Sequence, residues 1–329
     1  MIHQVIENIV YRLQRRDLSR LCNLAFLFRE HSMRPSVRCS FIHLAFSVSV
    51  FSLFFLFSVL PLSAQPRYKM AVADWMVLKR QKLGEFQLAR QLGCDGIEMD
   101  MGGLGRRDSF DNKLREPASQ RVFSHTSDSL GIQVAAMAMS GFYGQSFANK
   151  TSYRWLITDC LNAMDVMHTS VAFLPLGGCG NHWTDSVALR KAIVARLHEV
   201  GEMAHARGKV IGIDTPLDAR GNIRLLNEIN SEGIRIFYKV QTAVEMKLDV
   251  CKDLRKLGAK RICAIHISNT DGSLLRDDPA VDMPKIKQTL DKMKWQGWLI
   301  VERSRDVKRV HDVKYNYGEN VKYLKEIFR

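Results

Sequence analysis

The chain has no pair of cysteines spaced Cys-x-x-Cys. Its seven cysteines are Cys22, Cys39, Cys94, Cys160, Cys179, Cys251 and Cys263, and only five of them follow residue 64. That odd number, without zinc-ligand or small-domain spacing, argues against a disulfide framework or a zinc site and for buried or incidental thiols. No Gly-x-Gly-x-x-Gly turn follows the first strand-like run, which counts against a doubly wound dinucleotide-binding sheet. Low-complexity tracts and dividing linkers are also missing, so the chain beyond its amino-terminal region reads as one domain. Acidic residues are in deficit, 34 against 48 Lys and Arg, giving a formal charge of +14. Residues 1–64 hold seven Arg and three acids, which leaves +10 for the remainder. Many of those bases stand beside acids in helical stretches (KDLRK, VKYLKEIFR), the pattern of a solvated helix face rather than of a nucleic-acid-binding surface.

One long apolar run is present, FIHLAFSVSVFSLFFLFSVLPLSAQ, residues 41–65. Arg34 and Arg38 precede it, and it ends in Leu62-Ser63-Ala64, small residues at the spacing a signal peptidase needs. The run from Phe41 to Leu60 is also long enough for a membrane-spanning helix. Its serines, histidine and small-residue end favour cleavage after Ala64, and Met33 is a plausible start. The expectation is an exported protein, periplasmic or secreted, with residues 1–64 as its signal region and no membrane anchor after cleavage.

From Met70 onward, eight apolar runs alternate with helical periodicity: AVADWMV (71–77), GIEMDM (96–101), IQVAAMAM (132–139), SVAFLPL (170–176), KVIGIDT (209–215), IRIFY (234–238), RICAIHISN (261–269) and GWLIVE (297–302). Gly93, Gly131, Gly208 and Gly258 stand where a helix would stop before the next strand. Eight β-then-α units over residues 66–329 predict a single closed (β/α)8 TIM barrel, with an open doubly wound sheet as the alternative. The polar stretch GLGRRDSFDNKL is expected to fold over the mouth.

In such a barrel, polar residues at the carboxyl ends of strands converge. They are Asp74, Glu98, Asp100, Ser140, Asp214, Lys239, His266 with Asn269, and Glu302 with Arg303 and Arg305. Any one could be a satisfied structural group. Their repetition, strand after strand, is what points to a site, because charges seldom enter an apolar core unpaired. Asp214, His266 and Glu302 could hold a divalent cation, or the two carboxylates could move protons on opposite sides of a carbon next to a carbonyl. Trp75, Phe142, Tyr143 and Trp183 are candidates for stacking on a sugar face or for plain packing under loops.

The segments GIEMDMGGLG, AMSGFYGQSFA, FLPLGG, IGIDTPLD, ICAIHISNTDG and LIVERSRD resemble those of the sugar phosphate isomerase/epimerase family. This group lies within the xylose-isomerase-like TIM-barrel superfamily, which also holds endonuclease IV and the ketose 3-epimerases. The resemblance covers nearly all of residues 70–329. It implies a (β/α)8 barrel whose mouth binds a sugar or polyol and commonly one divalent metal (Mn, Mg or Zn). In the epimerase branch the metal ligands are Glu after strand five, Asp after strand six, His in strand seven and Glu after strand eight. Carried over, His266 and Glu302 match, Asp214 is a shorter carboxylate, and the strand-six acid falls on Lys239. The His or Asn three positions later is Thr242. DNA repair of the endonuclease IV kind is disfavoured, because its trinuclear zinc site needs more histidines than this mouth offers.

A lysine there opposes a metal. An ammonium at ~4 Å from a dication costs about 8 kcal/mol at an effective dielectric near 20. Three readings compete: Lys239 takes the metal's place beside Asp214 and Glu302, it swings out to solvent, or it is a Schiff-base nucleophile. The expectation is an exported isomerase or epimerase of a free sugar or polyol, with weakened or absent metal dependence. Asp214, Glu302 and Lys239 would be catalytic, and Glu98, Asp100, Ser140, Thr242, Asn269, Arg303 and Arg305 would contact substrate. A catalytically silent carbohydrate-binding barrel and a sugar lyase are the alternatives.

Overall fold

The structure is a computed structural model that describes residues 67–78, 80–176 and 182–328. The expected signal region, Met33, Cys22, Cys39, Cys179 and the two glycines of FLPLGG lie outside the described residues. Among those described, no helix is long and apolar enough to cross a membrane.

Eight strands pair in parallel in sequence order, and the first closes on the last. They are β1 (Tyr68–Ala73), β2 (Gly96–Asp100), β3 (Gln133–Ala138), β4 (Val171–Pro175), β5 (Val210–Asp214), β6 (Ile234–Lys239), β7 (Ile262–His266) and β8 (Gly297–Val301). Each is followed by a covering helix: α1 (Gly84–Gln91), α2 (Pro117–Leu130), α3 (Tyr153–Val166), α4 (Val187–His205), α5 (Ala219–Ile229), α6 (Val250–Leu257), α7 (Met283–Lys292) and α8 (Val313–Ile327). The closed barrel is the predicted one. The first run differs in detail: β1 begins at Tyr68, and Asp74–Val77 is a helical turn. Asp74 ends the strand because its Oδ2 accepts from the Gln81 and Asp100 backbone N–H groups, which draws the chain back toward β2.

Local chemistry sets the helix ends. The side chains of Asp218, Asp249, Asp282 and Asp312 each accept a first-turn backbone N–H at the start of α5, α6, α7 and α8. Gly131 ends α2 in the left-handed region, as the glycine pattern predicts. The stretch 103–114 packs along the β1–β3 flank: Leu104, Phe110, Asn112 and Leu114 are buried, and Phe110 meets Phe142 edge-on at 6.2 Å between centroids.

Strand alternation separates two cores. Val72, Ile97, Met99, Met137, Leu174, Ile211, Ile213, Ile236, Tyr238, Ile265, Leu299 and Val301 belong to the larger core that the helices complete. Ala71, Ala135, Ala136, Ala138, Phe173, Phe237, Ala264 and Ile300 form a separate interior cluster. Five alanines leave volume for two phenylalanines. Gly212 extends that logic, since a Cβ there would lie 2.5 Å from Cys263 Sγ and 2.9 Å from Phe237 Cδ2. Cys94, Cys160, Cys251 and Cys263 are free thiols, the first three buried.

Candidate active site

The same period of two that turns Phe237 and Ile300 inward turns Lys239 and Glu302 inward one step nearer the mouth. Glu98 and Lys239 also follow register irregularities, at Ile97/Glu98 against β3 and at Ile236/Phe237 against β7. Such bulges re-aim the side chains beside them. Lys239 is the register partner of His266, so β6 and β7 deliver both to one level.

The groups meet. Lys239 Nζ lies 2.9 Å from Glu302 Oε2 and donates to Tyr143 Oη at 3.0 Å. His266 Nε2 is 2.7 Å from Glu98 Oε2, and its Nδ1 is 3.7 Å from Glu302 Oε2. Beneath them is an aromatic floor, with the His266 ring 4.8 Å from Phe173 and 4.6 Å from Phe237 between centroids. Trp75 stacks on Phe173 at 6.4 Å and meets His266 edge-on.

Burial and charge divide the acids. Burial pushes Asp214 up to about 6, although Lys239 and His266 oppose the shift. Burial also works against ionised Glu302, but the charges of His266 and Lys239, with the Lys239 hydrogen bond, hold it below the usual carboxylate range. Desolvation disfavours the imidazolium of His266, yet Glu98 and Glu302 outweigh it and raise its pKa. Burial raises Glu98 too, so the Glu98–His266 pair keeps a proton between them. Lys239 is likewise raised, since Glu302 and Asp214 overcome its desolvation. Burial, with the nearby carboxylates, keeps the Tyr143 phenol protonated far above its ordinary value.

Lys239 therefore points inward; its side chain is 10% exposed, and it has not swung out to solvent. Its raised pKa also opposes a Schiff-base role, which needs a neutral amine. The expected metal ligands do not form a ligand set. An ammonium sits on the Glu302 oxygen, Glu98 occupies one nitrogen of His266, and among the described residues no three His, Cys, Asp or Glu side chains are placed to hold a metal ion.

The other expected contacts divide. Arg303 flanks the site: its side chain is 42% exposed, and its charge acts on Lys239, Glu302 and Tyr143. Thr242, in a helical turn Val240–Glu245, lines a cavity of about 20 Å³ behind Lys239 together with Asp214 and Asn222. Asn269 and Arg305 make contacts within the protein, while Asn269 Oδ1 has no partner among the described residues. Asn269 Nδ2 donates to Asp278 at 2.8 Å, and Arg305 makes a two-pronged pair with Asp271 at 3.0 and 2.6 Å. The Arg305–Asp271 pair ties the β7 and β8 loops together, and the Asn269–Asp278 bond lies within the β7 loop. Asp100 and Ser140 are committed to each other and to Arg80, through Ser140 N to Asp100 Oδ2 at 3.2 Å and Arg80 Nε to Asp100 Oδ1 at 3.0 Å. Among the aromatics, Phe142 and Trp183 are fully buried, Trp183 donating to Leu176 O at 2.7 Å, so both are packing groups. Trp75 and Tyr143 stay partly open at the mouth.

Sequence reasoning missed Arg80, Glu85 and the hydroxyl of Tyr143. Glu85 sits in the first turn of α1 and reads as an ordinary helix-start acid, yet it is fully buried and hydrogen-bonded to Asp74. Burial and the Asp74 charge hold Glu85 well above the usual carboxylate range, and burial lifts Asp74 to about 6.

The structure is a closed parallel TIM barrel in which acids, an imidazole and a lysine converge at the carboxyl ends of the strands, the face that carries the sites of such barrels. The family model described as xylose isomerase-like TIM barrel matches residues 86–327, and the chain belongs to that family. Its structure is similar to D-psicose 3-epimerase with D-tagatose from Clostridium cellulolyticum H10, at TM-score 0.62 and 11% identity over 79% of this chain and 99% of that one. It is also similar to 3-keto-D-glucoside 4-epimerase from E. coli (TM-score 0.62, 14% identity, 79% and 99% covered). A third similar structure is a sugar phosphate isomerase/epimerase from Parabacteroides distasonis ATCC 8503 (0.59, 14%, 80% and 95%). At these identities the likeness is one of fold. Comparison with curated proteins found no match.

Proposed function

We propose that the protein is an exported carbohydrate isomerase or epimerase that acts on a free sugar or polyol by carboxylate proton transfer, without a metal at the Lys239 position. The observation that carries this reading is the Lys239–Glu302 contact at 2.9 Å inside a mouth that also holds Asp214 and His266. Structural neighbours named as sugar epimerases and isomerases support the substrate class. Export rests on the apolar run at residues 41–65 and its small-residue end, and it favours a sugar without phosphate.

Two carboxyl groups whose environments pull their pKa values apart are suited to opposite halves of a proton transfer. Glu302 is held ionised and serves as the base. Asp214, at about 6, carries a proton in mildly acidic solution and serves as the acid. They stand three staves apart in a ring of eight, so a sugar carbon between them is approached from different sides. Lys239 supplies positive charge beside the oxygen on which charge develops, the task a cation performs elsewhere.

Incubation of a ketose and polyol panel in D2O, with manganese or with chelator, tests the reading. The expected outcome is product carrying one solvent deuterium, at a rate indifferent to chelator and lost in Glu302→Gln. Binding without conversion would favour a silent carbohydrate-binding barrel, and strict manganese dependence would overturn the role given to Lys239.

A further inference from the structure

The amine of Lys239 carries three hydrogens. The ammonium is ion-paired with Glu302 Oε2 at 2.9 Å and donates one hydrogen to Tyr143 Oη at 3.0 Å, so even with a second hydrogen on Glu302 one is left. Tyr143 Oη accepts in that contact, so its own hydrogen is unspent, and among the described residues the hydroxyl has no second protein partner. Two donor atoms 3.0 Å apart, each with a free hydrogen, can both reach one oxygen at ordinary hydrogen-bond length, because the three atoms then form a nearly equilateral triangle.

The placement is rigid. Tyr143 ends a tight helical turn, Ser140–Tyr143, whose start is held by Asp100 Oδ2 on Ser140 N at 3.2 Å and by Arg80 Nε on Ser140 Oγ at 3.2 Å. Phe142 locks the middle of the turn against Phe110 and Phe147, at 6.2 and 5.3 Å between centroids. Gly141 presses on Leu104 so closely that a Cβ would lie 2.4 Å from the Leu104 Cβ. The Tyr143 ring rests on Phe173 at 6.0 Å, on the aromatic floor that also carries His266.

We infer that Tyr143 is a further catalytic residue: its hydroxyl and the remaining Lys239 N–H together hold the substrate oxygen that turns negative when the neighbouring C–H proton is removed. This deepens the isomerase or epimerase reading and rests on it. In the step, the base takes the C–H proton, the C–H electron pair becomes the new carbon–carbon double bond, and the carbonyl π pair moves onto oxygen. Tyr143 and Lys239 donate hydrogen bonds to that oxygen without giving up a proton. When the pair returns, the acid's proton forms the new C–H bond, so no oxidant or reductant enters.

The test is deuterium wash-in from D2O into D-fructose, D-tagatose and D-psicose, at the carbon next to the carbonyl, for the parent protein and Tyr143→Phe. The variant keeps the ring on Phe173 and loses only the hydroxyl. The expected result is a kcat lower by about a hundredfold to a thousandfold, the size of losing one preorganised oxyanion donor, with KM nearly unchanged. Replacing Tyr143 with ring-fluorinated tyrosines, which keep the shape and alter phenol acidity, is expected to change kcat progressively, which a packing role would not do. Unchanged wash-in for Tyr143→Phe, or a loss confined to KM, overturns this inference and leaves the epimerase reading standing. Absence of wash-in with the parent protein on all three sugars overturns both.

Discussion

The acids on the β1–β3 side of the mouth and those on the β5–β8 side are similarly buried, yet they are satisfied in different ways. Asp74, Glu85 and Asp100 are fully buried, and each accepts a backbone N–H: from Gln81 and Asp100, from Lys82, and from Ser140. On the other side, among the described residues, no backbone amide reaches the side-chain oxygens of Asp214 or Glu302, and Glu302 is met by Lys239 and His266. A carboxylate that holds main chain is scaffold, because releasing it unmakes a loop. One held only by side chains can trade a partner for a substrate without moving the backbone. Glu98 belongs with the second group by its His266 partner, 2.7 Å away.

Substitutions on the two sides should separate activity from stability. The largest effect is expected for Glu302→Gln, which removes the ionised base: turnover in the D2O assay should fall about a thousandfold or more. Lys239→Met should follow. It strands Glu302 beside His266 alone and is expected to cost about 3–5 kcal/mol in denaturant melts, as when one member of a buried pair is deleted. The companion Lys239→Asp replaces the opposing ammonium with a carboxylate, and Mn²⁺ titration calorimetry is expected to register tighter binding than in the parent; equal binding in the two would refute the opposition of Lys239 to a metal.

On the scaffold side, Asp74→Ala should leave the Gln81 and Asp100 amides without their acceptor. A loss of about 2–4 kcal/mol in urea melts is expected, with no direct loss of a reacting group. Glu85→Gln, which keeps a neutral donor toward Asp74, should stay within about 1 kcal/mol of the parent, and a larger loss would show that Glu85 is ionised there.

The smallest effect concerns pH. The folded state raises the Asp214 pKa to about 6, so its proton is held more tightly folded than unfolded. The associated stability is present below the ordinary carboxylate range and lost as pH rises through about 6. Asp214→Asn should remove that part, giving a Tm that declines less between pH 4 and 7 than the parent's. An identical decline in both would place Asp214 in water.

What the sequence by itself determined is local. Alternation of apolar runs and helical periodicity, the helix-stopping glycines and the period of two along each strand specified eight staves. They also put Asp214, Lys239, His266 and Glu302 at the inward-facing ends of four of them, because strand geometry repeats every second residue whatever lies across the barrel. Closure decided the pairing. Glu98 and His266 are 168 residues apart, and closure of the ring brings them into contact. The inward turn of Lys239 likewise depends on the anion that β8 presents to it, so neither the metal question nor the choice between core and solvent was legible along β6 alone. Phe142 and Trp183 look like mouth aromatics in sequence and are packing groups in space, and the partner of Arg305 in the β7 loop, Asp271, is visible only once the two loops meet. The position of a side chain along a strand is a matter of backbone period, whereas its partner is set by which distant segment arrives with the complementary charge.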